Sequence, residues 1–129
     1  TKLMTSVFPS FTQNNKLNST NLSNDTKVCK HYDEDSLNHN QISIRLFTDF
    51  YHAGKWAIEN ADKLNVNTLM LHGSDDAIIC KSGTEQFANK SNGMATYKLF
   101  ENTKHEPHND LTKKDVFTYT LNWLEESLS

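Results

Sequence analysis

The chain has 129 residues, about one domain, yet only 36% are apolar, below the roughly 45–50% usual for globular domains, a norm that also counts Gly. The shortfall lies mainly in the first forty residues, and the net charge of −3 comes without a Lys/Arg cluster that would track phosphates, so nucleic acid is not an expected partner. No apolar run reaches the ~18–20 residues of a membrane span, and no basic-then-apolar leader opens the chain.

Residue 1 is Thr rather than Met, so a processed chain or a piece of something longer is expected. Residues 1–35 are Asn/Ser/Thr-rich and irregular, with one short helix expected at 24–32 behind Ser23 or Asn24 as a cap. The sequons at Asn18, Asn21, Asn24 and Asn89 follow from that composition rather than from glycosylation. Cys29 and Cys80 stand far apart, as free thiols of a reducing compartment would, and the expected localisation is cytoplasmic.

From residue 41 the pattern becomes periodic. Ile42, Leu46, Phe50, Ala53, Ala57 and Ala61 recur three or four apart and predict one helix, or two broken at Gly54, over 42–63. Packing is the favoured role of that stripe, and Trp56 and Trp123 are expected as core or partly buried covers. The apolar run VNTLML at 66–71 predicts a strand covered on both faces. A helix at 82–90 follows, capped by Ser82 and stopped by Asn92-Gly93, then a short strand at 95–100. A last helix at 112–128 puts Val116, Tyr119 and Trp123 on one face behind Thr112.

Helix, strand, helix, strand, helix is the order of βαβ units, so the fold class is α/β with a parallel sheet. Two parallel strands do not suffice for such a sheet, because each needs neighbours and helices on both faces. Composition argues against further strands in the first third, so an incomplete domain is expected.

Consecutive parallel strands open on the same edge, which makes the loops after them neighbours. The first loop follows LHGSDDAII at 71–79 and carries Asp75 and Asp76; the second, ENTKHEPHND at 101–110, carries His105, Glu106, His108 and Asp110. A carboxylate that accepts an imidazole N–H fixes the tautomer and leaves the other nitrogen free to take a proton from a nucleophile. Acid before histidine, one strand-helix-strand step apart, is the chain order of α/β-hydrolases. Taken singly, Asp75 and Asp76 are also ordinary turn residues.

These residues carry a resemblance. HGSDD at 72–76 is similar to the H-G-x-x-D motif of the monoacylglycerol lipase and lysophospholipase group of serine α/β-hydrolases, and His105, Glu106 and Asn109 match its H-E-x-x-N pattern. LSNDTKVCKHYDEDSLNHNQIS at 22–43 resembles the end of that family's cap, so the likeness runs from about residue 17 to 128. It implies a cap remnant at 1–40, the C-terminal part of a hydrolase core at 41–129, Asp76 as the triad acid and His105 as its base. Asp75 is the weaker competitor. The chain departs from the family at Asn67-Thr68, where a Pro is usual, at Asn102, near a usual Gly, and at Thr103-Lys104, where the approach to the histidine is commonly apolar.

No G-x-S-x-G elbow and no oxyanion loop occur in the 129 residues, and neither Ser74 nor Ser82 sits on a glycine-flanked elbow. These residues alone are therefore expected to hydrolyse esters negligibly, with the nucleophilic Ser carried by an N-terminal half of the same hydrolase. The resemblance implies a lipid ester substrate, a monoacylglycerol or lysophospholipid, and a cap that allows transient contact with a membrane surface. No metal or organic cofactor is called for: HEPH at 105–108 has the wrong spacing for a zincin helix and holds Pro107. The competing reading is a non-catalytic, degenerate hydrolase-like module that binds through its uncovered sheet edge.

Overall fold

A computed structural model describes residues 10–129, so the irregular chain expected at 1–9 lies outside the described residues. The elements run β1 (Thr12–Asn14), α1 (Thr26–Glu34), β2 (Gln41–Ser43), α2 (Ile44–Glu59), β3 (Thr68–Gly73), α3 (Lys81–Lys90), β4 (Ala95–Phe100) and α4 (Lys113–Leu128), with short 3₁₀ turns between them. Strands β3 and β4 pair in parallel from Thr68↔Ala95 to Gly73↔Phe100, with α3 as the crossover packed against both. Both strands therefore end level, at the edge where the Asp75-Asp76 and His105 loops begin.

Several local assignments shift for identifiable reasons. Helix α1 starts two residues later than expected because Asp25, not Ser23 or Asn24, caps it, accepting from the Lys27 amide at 3.0 Å. The Ser23 hydroxyl instead donates to the Asn109 carbonyl at 3.1 Å, tying residue 23 to the histidine loop. At α3 the cap position belongs to Cys80, and the Ser82 hydroxyl faces the Cys80 thiol. Thr112 precedes α4 without a side-chain capping bond, its hydroxyl meeting that of Thr103 at 2.8 Å.

The first third does contain a strand. β1 pairs antiparallel with β2 over three residues each, apart from the β3–β4 sheet, and Ile42 belongs to β2 rather than to a helix. Helix α2 begins behind Ser43, whose hydroxyl accepts from the Leu46 amide at 3.1 Å, and runs unbroken through Gly54.

Packing is thin. Among the described residues the buried apolar ones are Leu22, Cys29, Ala61, Ala88, Phe100 and Val116. Phe100 meets Tyr119 of α4 edge-on at 6.1 Å between ring centres, and the Trp123 indole donates to Thr96 at 3.2 Å, which seats α4 on β4. The α2 stripe, expected to pack, leaves Leu46 and Phe50 exposed beside Phe47 and Tyr51, and Trp56 is exposed rather than a core cover. None of the described helices is long and apolar enough to cross a membrane.

Candidate active site

The site starts from backbone geometry at the level strand ends. The Ser74 amide donates to the Phe100 carbonyl at 2.8 Å and the Asp75 amide to Thr103 at 2.9 Å, so the two loops continue the ladder past the strands. Gly73 makes this approach possible: a Cβ there would collide with the carbonyls of Thr103 and Lys104. Asn102 turns the second loop with φ of 53°, and its amide donates to the Ser74 hydroxyl at 2.9 Å. That left-handed conformation favours Gly, and Asn is among the few other residues that adopt it readily.

Asp76 uses its two oxygens differently. Oδ1 accepts from the amides of Ile78 at 2.8 Å and Ile79 at 3.0 Å, closing the turn after β3. Oδ2 accepts from His105 Nδ1 at 2.9 Å. The turn role and the imidazole-holding role are thus both present in one carboxylate. Burial of the side chain alone would raise its pKa, but the Ile79 amide, the His105 hydrogen bond and the Ile78 amide together hold it below the ordinary 3.8. The carboxylate is ionised at neutral pH.

His105 is about one-third exposed, and its Nε2 has no hydrogen-bond partner among the described residues. A neutral imidazole held in this way carries its proton on Nδ1 and offers the Nε2 lone pair as a base. Asp75 is exposed and takes the Ser74 hydroxyl at 2.8 Å; its side chain makes no bond to His105 among the described residues.

The histidine loop is braced on two sides. The Glu106 carboxylate accepts from the Asn109 side-chain amide at 2.8 Å, and the Glu106 backbone amide donates to the Leu22 carbonyl at 2.9 Å. Asp110 is fully buried and accepts four N–H groups, from the Asn24 backbone at 3.0 Å, Asn24 Nδ2 at 3.2 Å, Lys104 at 2.8 Å and Leu111 at 2.7 Å. Lys104 replaces the apolar approach with a side chain that bonds the Thr20 carbonyl at 2.7 Å. Sequence reasoning missed Asp110; its only signal was its position inside the loop.

Residues 1–112 match the model of the serine aminopeptidase S33 family of hydrolases. The chain belongs to this family. The chain is 33% identical over 128 residues to an uncharacterized abhydrolase domain-containing protein of Dictyostelium discoideum, covering 98% of this chain and 14% of that protein. It is 26% identical over 118 residues to a putative monoglyceride lipase of Schizosaccharomyces pombe, covering 91% and 31%. Among solved structures, the monoacylglycerol lipase of Paleococcus ferrophilus superposes with a TM-score of 0.81 at 24% identity, over 95% of this chain and 49% of that one. A soluble variant of Saccharomyces cerevisiae monoglyceride lipase, solved with a substrate analog, superposes with a TM-score of 0.84 at 20% identity, over 97% and 47%. The fold is that of an α/β-hydrolase, and the chain spans about half of those solved chains and less than a third of the curated relatives. For an S33-family chain, the strand ends that carry Asp76 and His105 are the edge where α/β folds gather their chemistry.

Proposed function

We propose that these residues supply the acid and base of a Ser-Asp-His triad that cleaves carboxylic esters of lipids. The 2.9 Å contact from His105 Nδ1 to Asp76 Oδ2 carries the reading. Asp76 orients the ring and stabilises its charged form, and His105 Nε2 removes the proton of a serine hydroxyl as its oxygen attacks the ester carbonyl. The imidazolium then protonates the leaving alcohol, and a water activated in the same way releases the acid. The serine is carried outside these 129 residues, which hold no G-x-S-x-G.

Two observations support an upstream hydrolase half as the element that completes the site. The chain spans about half of the solved lipase chains it superposes on, and the apolar side chains of α2 stand exposed without a cover among the described residues. The monoglyceride lipase names among the relatives favour a monoacylglycerol over a lysophospholipid. The family name points instead to aminoacyl amides, which the same triad would open.

Steady-state hydrolysis by the protein joined to its nucleophile-bearing half separates these substrates. The expected order is monoacylglycerol first, with lysophospholipid and aminoacyl amide much slower. His105→Ala should lower kcat by about 10³-fold or more. A His105→Ala enzyme with unchanged kcat would end the assignment, and preference for the amide would overturn the substrate class alone.

A further inference from the structure

His72 precedes Asp76 by four residues and lies against the same carboxylate. Its ring is buried beneath the turn, with Nε2 at 3.1 Å from Asp76 Oδ2 and 3.2 Å from the Ile79 carbonyl, and Nδ1 at 2.9 Å from the Thr84 hydroxyl. Both neighbours of Nε2 are acceptors, so Nε2 must carry the hydrogen. The Thr84 hydroxyl can serve as donor, so the neutral tautomer protonated at Nε2 satisfies every partner. The opposite tautomer would press a lone pair against a buried carboxylate.

We infer that His72 is a positioning residue for the catalytic acid, bonded to Thr84 on one side and, on the other, to the Ile79 carbonyl of the turn that holds Asp76. This rests on Asp76 being the triad acid. At Oδ2 the hydrogen bond comes from His105, while the His72 ring hydrogen-bonds the Ile79 carbonyl and holds its Nε2 3.1 Å from the same oxygen. Because the Ile78 and Ile79 amides hold Oδ1, and His72 holds the Ile79 carbonyl, the turn fixes the carboxylate and with it the direction from which Oδ2 grips the His105 ring. Thr84 lies on α3, so the crossover helix is tied to the acid's turn through one ring.

Nuclear magnetic resonance of the full-length protein tests this without turnover. In the unsubstituted protein, ¹⁵N shifts should show His72 protonated at Nε2 and bare at Nδ1, and the Nε2 proton resonance should move as Asp76 titrates. His72→Leu should raise the ¹³C-carboxyl titration midpoint of Asp76 and speed solvent exchange of the His105 Nδ1 proton, while His72→Gln, which keeps an N–H donor, should restore both. A His72 protonated at Nδ1, or an Nε2 proton blind to Asp76, overturns the inference even if His72→Leu does not fold. So does a folded His72→Leu variant with the native midpoint. None of these failures touches the triad reading, which turnover decides separately.

Discussion

Replacing Asp110 with Ala tests how the histidine loop is held. The carboxylate is fully buried and accepts four N–H groups, from Asn24 backbone, Asn24 Nδ2, Lys104 and Leu111. Two of these have alternatives, since Asn24 Nδ2 also reaches the Asn102 carbonyl at 3.0 Å and Leu111 is exposed. The backbone amides of Asn24 and Lys104 are left without partners. A buried donor stripped of its acceptor costs about 1–3 kcal/mol, so two give a loss of about 4 kcal/mol for Asp110→Ala. Asp110→Asn keeps the shape but turns an NH₂ toward one of those two amides, for about 2 kcal/mol. Urea unfolding, with the slope checked for constancy, reads both losses. An Asp110→Ala protein within about 1 kcal/mol of the parent would refute the assignment of Asp110 as the anchor of the loop.

Gly73→Ala would drive a methyl into the carbonyls of Thr103 and Lys104 and should cost about 3 kcal/mol in the same urea assay, with the His105 Nδ1 proton exchanging faster. Asn102→Val, at φ of 53°, should lose about 2 kcal/mol, whereas Asn102→Gly should stay within about 1 kcal/mol of the parent. The folded-state pKa of Asp76 lies below its ordinary 3.8, so its ionised form adds stability that is complete above the unfolded value and is lost as pH falls through the folded one. Asp76→Asn should therefore flatten the acid limb of a stability-against-pH curve below about pH 4 and leave its neutral limb parallel.

The sequence exposed the strand-helix-strand step because VNTLML and the run at 95–100 are short, apolar and separated by one helix. That topology alone put the Asp76 and His105 loops side by side. Capping was less legible: Ser23, Asn24 and Asp25 are all good caps, and only the structure shows Ser23 committed to Asn109 while Asp25 takes the helix. The β1–β2 pairing went unseen because three-residue polar strands carry no periodic signal. The α2 stripe was legible as a helix face but not as an uncovered one, since periodicity reports which side is apolar and not what lies against it. His72 was hidden for a related reason. A lone histidine in an apolar strand reads as filler, although its place four residues before Asp76 inside the H-G-x-x-D motif was the available clue.

Fluorophosphonate labelling of the full-length protein measures most directly whether Asp76 and His105 activate a serine. The account predicts covalent labelling of the parent, its loss in His105→Ala and its severe reduction in Asp76→Ala, with Asp75→Ala labelled as the parent is. Labelling of His105→Ala at the parental rate would contradict it.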